Sequence, residues 1–195
     1  MDIEGINRSL FLMLNAPAGL SGTALNLAIG AAKYSIVVLA GIAVLQWLRG
    51  TSRDRSALVH VVLAVIPALA INYVVGLVFF HPRPFMVGLG QTYLAHLPEA
   101  SFPSDHATFM WTIAFGLIYW LPTKAPGWVA VLLAALTSWA RIFLGVHFPF
   151  DIVGSIAVAL FSVAAVVPLR TFTACRIAGP IEVVYLFITA RMGWK

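Results

Sequence analysis

Five stretches of this chain are longer and more apolar than a soluble core requires. A helix rises about 1.5 Å per residue, so about 20 apolar residues cross a hydrocarbon layer of about 30 Å. Residues 23–48, 57–80, 104–121, 128–144 and 151–169 have this character, the third being short but apolar. Lys33 alone interrupts the first, and Arg141 falls near the end of the fourth. The whole chain is 61% hydrophobic and 10% charged, against about 45–50% and about 25% in soluble domains. An ordinary cytosolic globule and a disordered chain are both excluded.

The expected fold is therefore all-α: a polytopic membrane helix bundle forming one domain over residues 1–195. About five transmembrane helices are expected, with interfacial helices at 3–14 and 181–192, where the pattern is amphipathic but too short to span. A sixth span at either end stays open. The start, Met-Asp-Ile-Glu, is acidic where a cleaved export signal is basic, so the first span is expected to stay in the mature protein. The single cysteine, Cys175, excludes a disulfide framework and a cysteine-based zinc site.

The formal charge of +5 points to a membrane rather than to nucleic acid. Eight of the 12 Lys and Arg residues fall in three stretches: Arg49, Arg53 and Arg55; Lys124; and Arg170, Arg176, Arg191 and Lys195. Five spans put all three on one side, which the positive-inside rule makes cytoplasmic. The loop from His81 to Pro103 and the turn from Gly145 to Phe150 then face outward.

Ionisable groups inside apolar spans are costly and mark function by default. Here Arg83, Ser104, Asp105, His106, Arg141, His147 and Asp151 all gather at the outer ends of spans or in the outer loops. Prolines on both sides stiffen the backbone under Arg83. Pro103-Ser104-Asp105 reads as a helix start, whose free N–H groups favour an anion. His147 and Asp151 are four residues apart, so one helical turn places them on one face. A carboxylate on one ring nitrogen fixes the tautomer and frees the other nitrogen as a nucleophile. Two arginines, a helix start, a histidine and a His–Asp pair on one face suit phosphoryl transfer without a cofactor or metal, the arginines offsetting the developing charge.

These three stretches, in this order, resemble the membrane-bound type 2 phosphatidic acid phosphatase (PAP2) superfamily over residues 70 to 155. Its pattern is a Lys, six residues and Arg-Pro; then Pro-Ser-Gly-His; then Ser-Arg, five residues, His, three residues and Asp. Pro-Arg-Pro-Phe at 82–85, Phe-Pro-Ser-Asp-His at 102–106 and Leu-Gly-Val-His-Phe-Pro-Phe-Asp at 144–151 resemble its undecaprenyl-diphosphate phosphatase branch. The resemblance implies that His147 is the nucleophile, Asp151 its orienting carboxylate and His106 the acid and then the base. It further implies that Arg83, Ser104 and Arg141 hold the phosphoryl group. The implied partners are a polyprenyl diphosphate substrate and membrane lipids, with no nucleic acid, at a bacterial cytoplasmic membrane.

The chain departs from the pattern at three positions. Gly76 stands at the superfamily Lys, Ala140 at the Ser before Arg, and Asp105 at the Gly of the second motif. Lys33 is read either as a replacement phosphate cation or as a snorkelling side chain. Asp105 is read either as a helix cap or as a partner for Lys33 or an arginine. His81, His96 and His60 have no motif role, and Asn72 is expected to pack helices together. The alternatives are a broader lipid phosphatase acting on phosphatidate or phosphatidylglycerol phosphate, and an ion channel or transporter. A conducting path needs polar groups through the full thickness, and the inner half offers little beyond Asn72.

Overall fold

A computed structural model describes residues 2–193, and Lys195 lies outside them. Among the described residues the structure is helical with no strand: α1 (Ile3–Leu14), α2 (Thr23–Arg49), α3 (Ser52–Val78), α4 (Asp105–Trp120), α5 (Ala125–Phe143) and α6 (Pro149–Val166). A 3-10 turn (Val167–Leu169), the single turn α7 (Arg170–Thr173) and a π turn (Ala174–Ala178) then lead into α8 (Gly179–Arg191).

Helices α2, α3 and α5, and the run Pro149–Arg191, are long and apolar enough to cross a membrane. The inward face of α2 is a narrow stripe, Ala28, Ala32, Ser35 and Leu39, while Leu27, Val37 and Val44 point away from the protein. A three-to-four-residue period on a helix apolar all round is what a bundle surrounded by lipid requires. Helix α4 has 16 residues and lies in the middle, packed against α3, α5 and α6. Its Ala107, Ala114 and Gly116 are buried, and such small residues let neighbouring backbones approach closely.

Arg49, Arg53, Lys124 and Arg170 mark the end of the bundle where α2 meets α3, α4 meets α5, and α6 ends. There α8 is drawn against the start of α3: Arg55 pairs with Glu182 at 3.1 Å, and Tyr185 lies edge-on to Trp47. None of the residues of α8 is buried. His60 also belongs to this end, with ring nitrogens 2.6 Å from the Ser56 carbonyl and 2.8 Å from Thr173 Oγ1.

At the opposite end, three pieces of chain are tied together. The Asn15 amide donates to the carbonyls of Gln91 (2.9 Å) and Phe143 (3.0 Å), and its oxygen accepts from the Gln91 N–H. Tyr93 N–H donates to the Leu144 carbonyl at 3.0 Å. Gly145 turns there with φ +81°, and a Cβ would lie 2.1 Å from the Gln91 carbonyl oxygen. Only glycine meets both demands. The end of α1, the long loop 79–104 and the turn 144–148 therefore form one unit over the ends of α4, α5 and α6.

Candidate active site

The site is built where two helices begin and one ends. Ser104 caps α4, its hydroxyl accepting from the Ala107 N–H. Asp151, in the first turn of α6, accepts from the Phe148 N–H at 2.7 Å. Arg141 sits in the last turn of α5, where a cation suits the carbonyl end of the helix. The fourth piece is the loop that carries Arg83, whose guanidinium is held on three carbonyls: Glu99 (3.2 Å), Ala100 (3.1 Å) and Val146 (3.0 Å). Arg83 is therefore fixed by the backbone of two loops, in keeping with the rigid proline frame read from Pro82 and Pro84.

His147 is at the centre and is 1% exposed. Its Nδ1 lies 3.0 Å from the Ser101 carbonyl oxygen and 3.2 Å from Asp151 Oδ2. Both are acceptors, so Nδ1 carries the proton. The lone pair is then on Nε2, which faces three donors: Arg83 Nη1 at 3.0 Å, Ser104 Oγ at 3.1 Å and Arg141 Nη2 at 3.4 Å. Burial, reinforced by the charges of Arg141 and Arg83, pushes the His147 ring down to about 3. It is thus neutral at neutral pH, with its Nε2 lone pair among groups suited to phosphoryl oxygens. The Nε of Arg141 is buried and has no partner among the described residues.

Asp151 is fully buried, and its Oδ2 accepts from the Ser101 hydroxyl, the Phe148 N–H and His147. Ser155 continues the frame: its hydroxyl lies 2.8 Å from the Asp151 carbonyl and 3.0 Å from that of Ser104. His106 occupies the first turn of α4, two residues after Ser104, exposed and without a hydrogen-bond partner among the described residues.

The structure brings together Arg83, Ser104, Arg141, His147 and Asp151, and it gives Lys33 and Asp105 other surroundings. Lys33 does not join them. It is exposed on α2, off the buried stripe, and makes no ion pair among the described residues, which suits a snorkelling side chain. Asp105 is neither the cap nor an ion-pair partner. Ser104 is the cap, and the Asp105 carboxylate accepts from the Asn72 amide at 2.9 Å, while Asn72 also bridges to Thr108. Asn72 thus packs α3 on α4. At Gly76 a Cβ would lie 3.5 Å from that of Ala100.

Three residues of the site were given no role by the sequence reading. Ser101 serves both His147 and Asp151. The His96 ring stands edge-on to that of His147, with centroids 6.3 Å apart. His81 Nδ1 lies 3.6 Å from Asp151 Oδ1. Ser101 had one legible signal, a hydroxyl two residues before the Pro103-Ser104 helix start. The two histidines had none, because only the path of the long loop brings them here.

The fold and the site together are those of a membrane phosphatase. The model of the PAP2 superfamily matches residues 57–173. The chain is 34% identical over 154 residues to the putative undecaprenyl-diphosphatase YbjG of Escherichia coli, covering 79% of this chain and 77% of that one. It is 37% identical over 128 residues to the undecaprenyl-diphosphatase BcrC of Bacillus subtilis, covering 66% and 65%. Among solved structures, LpxE of Aquifex aeolicus superposes with a TM-score of 0.70 at 21% identity, over 86% of this chain and 99% of that one. The chain belongs to the PAP2 superfamily.

Proposed function

We propose that the protein hydrolyses undecaprenyl diphosphate to undecaprenyl phosphate and inorganic phosphate through a phosphohistidine on His147. The observation that carries this reading is the His147 ring itself, with Nδ1 toward Asp151 and the Nε2 lone pair toward Arg83, Arg141 and Ser104. The substrate rests on the relatives named for it.

In the first half-reaction Nε2 attacks the terminal phosphorus, and the P–O bond to the bridging oxygen breaks. Arg83, Arg141 and the Ser104 hydroxyl hold the non-bridging oxygens as charge shifts onto them. His106 gives its proton to the departing oxygen, and undecaprenyl phosphate leaves. Asp151 balances the charge of the phosphorylated imidazole. In the second half-reaction His106 takes a proton from water, which attacks the phosphohistidine and frees inorganic phosphate. His147 recovers its lone pair and His106 its proton.

The site faces the outer side of the cytoplasmic membrane in this reading. Support comes from Arg49, Arg53, Lys124 and Arg170 at the other end of the bundle, where the positive-inside rule puts the cytoplasm. The polyprenyl tail then stays in lipid while the diphosphate enters between the loops.

The test is phosphate release by purified protein in detergent from undecaprenyl diphosphate, phosphatidate and phosphatidylglycerol phosphate, with His147→Ala as control. Preference for the diphosphate, lost in the variant, is the expected result. Equal turnover of all three refutes the substrate, and turnover by the variant refutes the nucleophile.

A further inference from the structure

The Asp151 carboxylate is served unequally. Its Oδ2 receives the Ser101 hydroxyl, the Phe148 N–H and His147 Nδ1, while Oδ1 is buried without a hydrogen-bond partner among the described residues. The nearest cationic atom to Oδ1 is His81 Nδ1 at 3.6 Å, itself buried and unpartnered. Two complementary polar atoms, both shut away from water and facing each other, form a pair that a small shift converts to a hydrogen bond.

The other side of the His81 ring faces a second carboxylate. Its Nε2 lies 3.3 Å from Glu4 Oε2 of α1, and Glu4 Oε1 accepts from Arg8 at 2.8 Å. Both ring nitrogens thus face acceptors, which only the doubly protonated imidazolium satisfies at once. The ring is also clamped in orientation. It stacks on Phe79 with planes 6° apart and meets Phe148 edge-on at 5.3 Å. Its backbone carbonyl accepts from the Ser101 N–H at 2.7 Å, and Ser101 in turn holds both His147 and Asp151.

We infer that His81 is a positioning residue for the phosphoryl-transfer site: as an imidazolium bridging Glu4 and Asp151, it anchors Asp151 Oδ1 so that Oδ2 stays on His147. The inference rests on the reading of His147 as nucleophile. It makes α1 part of the site through Glu4, so that the chain Glu4–His81–Asp151–His147 runs from a surface carboxylate to the attacking nitrogen.

The charges around His81 set its titration. Asp151 and Glu4 face it from α6 and α1 and favour the proton. Arg83, two residues along the loop, and Arg8, on the far side of Glu4, oppose it at longer range. The carboxylates prevail, Asp151 first, and the ring is raised above the ordinary histidine range although burial works the other way. The anchor is therefore present at low and neutral pH and is lost as pH rises through the raised value. Loss of one proton leaves Asp151 or Glu4 without its donor, so turnover should fall along an alkaline limb.

The experiment is the pH profile of phosphate release from undecaprenyl diphosphate for wild type, His81→Phe, His81→Gln and Glu4→Gln, with thermal unfolding of each in the same detergent. His81→Phe keeps the packing on Phe79 and Phe148 and should lose about tenfold in kcat with KM little changed, the scale on which groups that orient a working histidine act. His81→Gln keeps one donor without a titration, and should recover part of the loss and flatten the alkaline limb. Glu4→Gln changes a side chain that is 42% exposed, and its thermal unfolding should match that of wild type. It should move the alkaline limb to lower pH, because it removes one of the two carboxylates that hold the proton. Wild-type kcat in His81→Phe, or an alkaline limb unmoved in Glu4→Gln, overturns the inference. A wild type that releases no phosphate, or an active His147→Ala, defeats the nucleophile reading instead, so the two failures are separable.

Discussion

Ser101 holds His147 by its backbone and Asp151 by its side chain. The Ser101 carbonyl lies 3.0 Å from His147 Nδ1, and its hydroxyl donates to Asp151 Oδ2. One residue therefore fixes both members of the pair. Ser101→Ala should leave the carbonyl in place while removing one donor from a buried carboxylate. A lost hydrogen bond to a charged group costs about 1.5–3 kcal/mol. That loss should appear mainly as a fall in kcat, about tenfold or more, with KM nearly unchanged. Steady-state kinetics on undecaprenyl diphosphate check it, and an unchanged kcat would show that Asp151 keeps its place without the serine.

Asp151→Asn tests the carboxylate directly. The amide fills the same space but loses the charge that, in the proposed reaction, balances a phosphorylated His147. Turnover should drop by more than it does in Ser101→Ala, because there the charge survives. Acid-quench trapping of labelled protein should show less phosphohistidine in Asp151→Asn than in wild type. Equal trapping would move the role of Asp151 from chemistry to folding.

The all-helical architecture was legible in the sequence because lipid imposes one rule on every span; α2 covers Thr23–Arg49 where 23–48 was expected, while α3 begins at Ser52, ahead of the expected 57, and ends at Val78. Arg83, Ser104, Arg141, His147 and Asp151 were legible because each breaks that rule at the same end, in a spacing with a chemical meaning. His81 and His96 were not, since position along a 26-residue loop says nothing about which helix end the loop crosses. Lys33 stayed open between two readings for the opposite reason. Depth in the membrane can be read from sequence, but the face of the helix depends on which small residues pack inward, here Ala28, Ala32 and Ser35.

Lys33→Met should therefore leave both kcat and KM within about twofold of wild type, as substitutions away from special features usually do. A rise in KM of tenfold or more would restore Lys33 to phosphate binding. Arg141→Lys should behave quite differently. Lysine offers a point charge where the planar guanidinium now faces His147 Nε2, and the exchange is not conservative at a site of this geometry. A loss of at least tenfold in kcat/KM is expected.

Chelation separates arginine from metal catalysis. If Arg83 and Arg141 carry the developing charge, EDTA should leave phosphate release largely intact, and added Mg²⁺ should change it only modestly. Complete loss on chelation, reversed by a divalent cation, would call for a metal in the reaction. A diphosphate itself binds divalent cations, so calorimetric titration of the cation into protein without substrate distinguishes an effect on protein from one on substrate.

Gly145→Ala tests whether the turn that carries His147 is held by the long loop. The left-handed backbone alone costs an alanine about 1–2 kcal/mol. The added Cβ would also meet the Gln91 carbonyl oxygen at 2.1 Å, too close without a shift of backbone. The turn would be pushed from the loop that carries His81, Arg83 and Ser101, all of which reach His147 or Asp151. Gly145→Ala should therefore lower the unfolding temperature and reduce kcat together, although residue 145 touches no substrate. Gly88→Ala is the matched control: its φ is +65°, but nothing lies within 4 Å of its Cβ position. It should lose a similar backbone increment of stability and keep its kcat. Equal kinetics in the two variants would show that the turn and the loop move independently, and that the close approach at Gly145 does not hold His147.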